Sequence, residues 1–320
     1  MEVKKKIDIS SEVNQLNFIY DDARQIQLMN AKCLNLRKKY LDYPLLVHLE
    51  TQAVCNAHCN FCPYDNMERK GMKMSDALIE KIINELADIP QNISYSLNPY
   101  KVSEPFLEPR LFDILGLIIK RLPNAKITFI TNGVPLTEKK IQQLLALDTS
   151  RFGLMSISLN SLNPVEYESA MGIPLDKTLK RLDMLHDYVA RGEFTIPVHV
   201  TRVAFDMESD LRFLINFKVR YPHFPVRIIR RNDWIGTINL NNKNNLVPNT
   251  ACKRWFDLSI TATGKVALCC MDSEAQYTYG DANVQNVLEI YRNAQMERLR
   301  MMLPSRINTA LPCGQCTYLN

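Results

Sequence analysis

The chain has 320 residues, 46% apolar and 23% charged, with 39 Lys plus Arg against 34 Asp plus Glu. That length and balance describe a soluble chain of about two domains able to bury a core, and they exclude wholesale disorder. A net charge of +5, spread along the sequence, gives no reason to expect a nucleic-acid or membrane partner.

No run of 18 apolar residues occurs; the nearest candidate, Leu111 to Ile119, is short and carries Asp113. Met1 to Ser11 has lysines but no apolar run behind them, so it does not read as a secretory signal. A cytoplasmic location is expected, where thiols stay reduced. The nine cysteines are then expected as metal ligands or reactive groups rather than disulfides.

In chain order, residues 11–41 predict one or two helices with Ser10 or Ser11 as cap, an N-terminal extension over 1–44. From residue 45 short strands alternate with amphipathic helices. Strands are predicted at 45–50, 93–98, 126–131, 153–159, 196–203 and 225–230, and helices at 75–89, 107–121, 137–147, 175–191 and 208–221. This is the pattern of parallel βαβ units with right-handed crossovers.

Several strands alternate instead of running apolar throughout. Leu45, Val47 and Leu49 are expected to face the helices, with His48 and Glu50 on the other side. The same split groups Ser94, Ser96 and Asn98, then Ser156, Ser158 and Asn160, then His199 and Thr201, then Arg227. A sheet apolar outside and polar inside predicts an open barrel with a wet lumen; a sheet with one solvated face is the alternative.

Residues 239–249 contain Asn239, Asn241, Asn242, Asn244, Asn245 and Asn249 with Pro248, and read as a linker. A hairpin over Leu258–Cys270 turning near Gly264, a helix near 286–301 and a Cys-rich tail follow. The expected division is 1–44, a barrel over 45–238, and a smaller unit over 239–320.

Cys55, Cys59 and Cys62 form Cys-x3-Cys-x2-Cys directly after the first strand. Ligand sites of α/β folds form beyond the carboxyl ends of strands. Three thiolates on a short loop suit three irons of a [4Fe–4S] cluster and leave the fourth iron open for chemistry. A zinc site would want a fourth ligand, for which His58 is the candidate, but adjacent residues rarely both reach one metal.

These residues resemble the radical S-adenosylmethionine (SAM) enzymes, whose Cys-x3-Cys-x-aromatic-Cys is matched by Cys55, Cys59, Phe61 and Cys62. The resemblance covers about 45–235 and implies a partial (β/α)6 TIM-like barrel. It also implies SAM bound at the open iron, with Phe61 near its adenine, and cleavage to methionine and a 5′-deoxyadenosyl radical that takes a substrate hydrogen. Glu104-Pro105 stands where the family has Gly-Gly-Glu-Pro and the Glu binds the SAM amine; Val102-Ser103 replace the glycines. Asn132 ends the third strand, and Ser158 and Asn160 lie where ribose contacts are common.

Cys252, Cys269, Cys270, Cys313 and Cys316 crowd the last 70 residues. Four of them, Cys252, Cys269, Cys313 and Cys316, would close every iron of a second [4Fe–4S] cluster, or hold zinc. Gly264 to Cys269 resembles the Gly-x4-Cys of the SPASM/Twitch extension, which identifies Cys269 as the ligand. Cys33 is expected far off in the N-terminal helix, and Cys270 is spare.

A fully ligated second cluster suits electron uptake from a substrate radical. The expected function is therefore an oxidoreductase dehydrogenating a small polar, carbohydrate- or cyclitol-like substrate, served by an external flavodoxin- or ferredoxin-type reductant. An epimerase returning hydrogen from Cys270 is the alternative; a zinc-stabilised binding protein is a remote one. Arg227, Arg230 and Arg231 offer contacts to an anionic group, and His199 and Glu50 are candidate catalytic groups in the lumen. With no long apolar seam, a monomer is expected.

Overall fold

The structure, a computed structural model, describes residues 9–240, 247–301, 305–307, 309–310 and 312–319. Residues 1–8 of the N-terminus and Asn241, Asn242, Asn244 and Asn245 of the expected linker lie outside the described residues.

Two helices, α1 (Ser10–Ile19) and α2 (Asp22–Tyr40), precede β1 (Leu46–Leu49). Then come α3 (Asp76–Leu86), β2 (Tyr95–Asn98), α4 (Leu111–Arg121), β3 (Ala125–Thr131), α5 (Glu138–Leu145) and β4 (Phe152–Ser158). The barrel continues through α6 (Pro164–Met171), α7 (Leu175–Ala190), β5 (Val198–Val203), α8 (Met207–Arg220) and β6 (Val226–Ile229). Ser75 caps α3 as predicted, its hydroxyl accepting from Leu78 N at 3.2 Å. Helix α6 was not predicted.

The six strands pair in parallel in the order of the sequence, the arrangement of a partial (β/α)6 barrel. Val47, Leu97, Ile127, Phe129, Met155, Ile157, Val200, Val226 and Ile228 enter one core with the helices. Leu45 does not join them; it packs against the group around Trp255 and Phe256. Because side chains alternate, the other face carries His48, Asn98, Thr128, Ser156, His199, Thr201 and Arg227. Hydrogen bonds run across it from Thr128 to Asn98 and between Ser156 and Thr201 at 2.5 Å.

The unit after the linker does not stand apart. Strand β7 (Asp257–Ile260) pairs in parallel with the free edge of β1, Leu46 opposite Asp257 and His48 opposite Ser259. The antiparallel strands β8 (Lys265–Ala267) and β9 (Thr278–Asp281) extend it, giving one nine-stranded sheet among the described residues. The hairpin turns at Gly264, whose φ of +83° is one that L side chains rarely adopt. The helix expected near 286–301 is broken into α9 (Val287–Tyr291) and α10 (Ala294–Met301). The Asn293 side chain accepts from Gln295 N at 2.8 Å and starts the second piece.

Helix α2 closes the open side of the barrel. Asp22 at its start pairs with Arg230 just beyond β6, and Tyr40 at its end donates to Ser94 O, before β2, at 2.9 Å. Its 19 residues, about 28 Å of helix, cross from the top of the last strand to the bottom of the first ones.

Candidate functional site

The loop after β1 is held from three sides. Glu104 N donates to Val54 O at 2.9 Å, His58 N to Met171 O at 2.9 Å, and Asn60 N to Ala170 O at 3.0 Å. The last two acceptors are carbonyls at the end of α6, so the helix missed in the sequence is what shapes the Cys55–Cys62 loop. Burial pushes the Cys55 thiol up to about 12 and Cys62 up to about 11, and raises Cys59 further. Without a metal these groups stay protonated; a bound cation would hold them as thiolates. His58 points away and bonds Asp65 at 2.7 Å, where both are exposed.

Glu104 lies completely buried beside this loop. Thr131 Oγ1 donates to it at 2.6 Å, Asn132 N at 2.8 Å and Phe106 N at 3.1 Å. Burial outweighs these donors and pushes the carboxyl up to about 7. The Asn132 amide reaches the cysteine loop at Asn56 Oδ1, 2.9 Å away. A cavity of about 370 Å³ opens next to the loop, lined by Phe61, Asn160, Arg202, Val203, Phe205 and Arg231 among others. Phe61 and Asn160 thus share one cavity wall. Asn132 and Ser158 are not among its lining residues.

Sequence reasoning missed Phe205, 77% exposed at this cavity, and Arg202, whose guanidinium binds Asp210 at 2.7 Å and Asn160 O. It also missed Trp234. Its indole N–H donates to Phe61 O at 2.9 Å, and its ring packs with the apolar groups beside both cysteine sets. Trp234 and Ile235 adopt φ of 50° and 57°; a β-branched residue there is strained. Nothing in local sequence signals such a turn.

Cys252, Cys269, Cys313 and Cys316 converge on a small cavity that Trp255 and Arg306 also line. Trp255 Nε1 donates to Cys313 Sγ at 3.5 Å, and Arg306 Nη1 to Cys316 Sγ at 4.0 Å. Burial and the neighbouring thiols push Cys269 well up, and burial with Cys252 pushes Cys316 up to about 12. A tetrahedral zinc with bonds of about 2.3 Å would draw its sulfurs to within about 3.8 Å of one another. Four converging thiols supply the donor number of either such a zinc site or a fully ligated cluster. Cys33 is not far off. It is fully buried in α2 against the group containing Cys252, which helps raise its thiol.

The two sets start at different levels of the sheet. Cys55 follows the carboxyl end of β1, whereas Cys252 precedes β7, whose first residue pairs with Leu46 at the amino end. About 13 Å of strand separates the two levels. Cys270 turns away from its neighbour: its sulfur lies within 4.8 Å of ligand atoms of His48 and Asp257. Half-buried Arg254 and buried Lys101 stand beside this trio, a poor setting for a further cation.

The candidate bases differ sharply. Glu50 is fully buried and accepts from Arg69 Nη1, from Val102 N at 3.0 Å and from Ala262 N at 2.9 Å. It is a fully enclosed brace between the cysteine loop, β2 and β7, paired with Arg69. His48 is pushed down to about 3 by burial, with Arg254 and Lys101 adding to it, and its Nε2 has no partner among the described residues. His199 is half-buried and pushed down to about 4 by burial and by Arg227.

Comparison with known proteins agrees with this geometry. The Radical SAM superfamily model matches residues 49–214, and the SPASM iron–sulfur cluster-binding domain matches 252–317. A SAM-dependent 2-deoxy-scyllo-inosamine dehydrogenase of Niallia circulans is 30% identical over 108 residues, 33% of this chain and 42% of that protein. A UPF0026 protein of Helicobacter pylori is 22% identical over 51% of this chain and 53% of its own. The chain therefore spans about half the length of these curated relatives. Among solved structures, BtrN in complex with AdoMet and 2-DOIA superposes with a TM-score of 0.60 at 18% identity, covering 86% of this chain and 93% of BtrN. Streptococcus suis SuiB bound to its precursor peptide gives 0.64 at 14% identity, covering 89% of this chain and 72% of SuiB. From the cysteine loop, the parallel barrel and the model that spans half its length, the chain belongs to the radical SAM superfamily and carries a SPASM iron–sulfur domain.

Proposed function

We propose that the protein is a SAM-dependent dehydrogenase of a small polar substrate, using two [4Fe–4S] clusters. What supports this is that one cysteine set follows the carboxyl end of β1 while the second lines a cavity of its own and begins before the amino end of β7, the strand paired with β1. When bound, the cluster at Cys55, Cys59 and Cys62 supplies the electron that splits SAM into methionine and a hydrogen-abstracting 5′-deoxyadenosyl fragment. Phe61 and Asn160 are suited to hold the adenosyl part in the cavity beside the loop, and Glu104 is suited to face the SAM amine. Oxidation of an HC–OH group to C=O then removes one hydrogen atom, one proton and one electron. The hydrogen atom would pass to the adenosyl fragment, and Cys252, Cys269, Cys313 and Cys316 would hold a cluster able to take up the electron. The proton would leave to a base at the lumen wall; His199 stands there but is a weak one, because burial and Arg227 hold it down to about 4. The similarity to an inosamine dehydrogenase supports a cyclitol- or sugar-like substrate, and an external flavodoxin- or ferredoxin-type protein would deliver the first electron.

Epimerisation is the second reading, because the Cys270 thiol faces the lumen beside His48 and Asp257. A Cys270→Ala protein that still cleaves SAM but makes no product would favour it over dehydrogenation.

The test is iron and sulfide per chain after anaerobic reconstitution, beside a Cys55/Cys59/Cys62 triple Ala variant. About eight irons, falling to about four in the variant, are expected. About four in the wild type would remove the electron acceptor and with it the dehydrogenase; bound zinc without iron would remove the reading altogether.

A further inference from the structure

The cavity beside Phe61 has a larger neighbour of about 590 Å³. Ala204, Phe205 and Arg231 line both, so the two spaces meet at the segments that follow β5 and β6. Arg231 fixes this junction by donating to Asn60 O of the cysteine loop at 2.8 Å. On its other side the second cavity reaches Thr317, the residue after Cys316. It therefore extends from the space suited to the adenosyl part of SAM to the tail that carries part of the second cysteine set.

Two aromatic residues of this cavity are tied to one point. Buried Asp210 accepts from Tyr20 Oη at 2.9 Å and from Phe205 N at 3.3 Å, and Arg202 matches its charge at 2.7 Å. One carboxylate thus brings together the turn before α2 and the segment after β5. Both residues line the cavity and keep open surface, 40% for Tyr20 and 77% for Phe205.

Polar groups complete the wall: Asp22, Arg230, Asn232 and Asn249. Asp22 and Arg230 form an ion pair, which sets carboxylate acceptors beside guanidinium donors. The Asn232 amide is held by Arg230 O at 3.2 Å. Aromatic faces beside carboxylate, guanidinium and amide groups are suited to sugar rings. The C–H face of the sugar packs on the aromatic ring, while neighbouring hydroxyls donate to the carboxylate and accept from the nitrogens. A phosphate would instead have to draw Arg230 away from Asp22.

We infer that the second cavity holds a sugar ring attached to the ring that reacts, so that the substrate is a glycosylated cyclitol or sugar rather than a single ring. This rests on the reading of the protein as a SAM-dependent enzyme of a carbohydrate- or cyclitol-like substrate. Cavities of about 300–1,000 Å³ enclose ligands of several rings, and a lone cyclitol would leave most of this one to water. The outer sugar lies against Tyr20 and Phe205, with Asp22 and Arg230 at its hydroxyls. The junction at Phe205 and Arg231 then directs the reacting ring toward the SAM cavity.

The test follows the melting temperature of the reconstituted protein with SAM and no reductant. Two glycosides, galactinol and paromamine, are compared with their parent rings, myo-inositol and 2-deoxystreptamine, at equal concentration and ionic strength. At least one glycoside should raise the melting temperature beyond its parent ring. Asp22→Asn splits the ion pair and Asn249→Trp fills the cavity; both positions are exposed, so both variants should fold. Each should abolish the excess shift while iron content stays as in wild type. No excess with either glycoside, or an excess that persists in both variants, overturns the inference. A shift with uridine diphosphate glucose but with neither glycoside does so too, by showing a nucleotide in place of the sugar. Dithionite-driven release of 5′-deoxyadenosine from SAM by the wild type is measured in parallel. If it fails while the glycoside shift depends on Asp22, the proposed function falls and the sugar site stands. If it succeeds without any glycoside shift, the sugar site alone falls.

Discussion

Glu50 and His199 share the inner face of the barrel, yet their surroundings give them opposite capacities. Three donors converge on Glu50 from the cysteine loop, β2 and β7, so its charge is matched by Arg69 and the group is completely enclosed. Removing it strands a guanidinium that is itself only 7% exposed. Glu50→Ala should therefore destabilise the fold by about 3–5 kcal/mol, as breaking one partner of a buried pair does. Chemical denaturation checks this, and a Glu50→Ala protein as stable as wild type would show that the brace carries no weight. His199 stands at the lumen wall, and burial together with Arg227 keeps its imidazole neutral. Both residues were legible as inward-facing from strand alternation. Their division into brace and free group was not, because Arg69, Val102 and Ala262 meet Glu50 from distant parts of the chain.

At the scale of elements, α6 connects local sequence to the first cysteine set. Asn163 accepts from Glu166 N at 3.1 Å, Pro164 takes the first helical position, and Gly172 ends the helix at φ +65°. These end signals are readable, but the apolar pattern between them is not: Val165 is 78% exposed while Tyr167 is fully buried. A Cβ on Gly172 would sit 2.6 Å from His58 Cβ and 3.0 Å from His58 O. His58 lies between Cys55 and Cys59, so Gly172→Ala must push the loop outward as well as strain its own backbone. We expect this variant to fold, to retain iron at the second set and to lose most of it at the first. Full iron content with unchanged SAM cleavage would show that the loop gives way without cost.

The strands among the described residues form a single sheet, and this limits how the molecule can be divided. Leu45 N donates to Phe256 O at 2.8 Å and Glu50 N to Ile260 O at 3.0 Å, sealing the edge of β1 with β7. Arg69 and Lys101 also reach across, to Ser273 O at 2.8 Å and Asp272 O at 2.5 Å. A fragment of residues 1–238 would expose that edge together with the buried charges of Glu50, Arg69 and Lys101. Open apolar edges template association, so the fragment should aggregate or lack fixed tertiary packing, seen by size exclusion and near-ultraviolet circular dichroism. A soluble monomer with a cooperative melt would show the barrel to be self-sufficient. No described helix is long and apolar enough to cross a membrane.

What the sequence determined by itself is the local and periodic part. Each barrel strand from β1 to β6 lies where apolar alternation puts it, and the Cys55–Cys62 spacing marks the family, because spacing on one short loop survives any folding detail. Gly264 marks its turn for the same reason: only a residue without Cβ is at ease there. What tertiary structure decided is which distant residues meet. Cys33 sits beside Cys252, Trp234 leans on the loop of Phe61, and Cys270 meets His48 and Asp257. Those encounters come from sheet curvature and from β7 adding to the edge of β1. Neither is written in any window of neighbouring residues, since strand pairing joins segments about 200 positions apart through hydrogen bonds that every backbone can make.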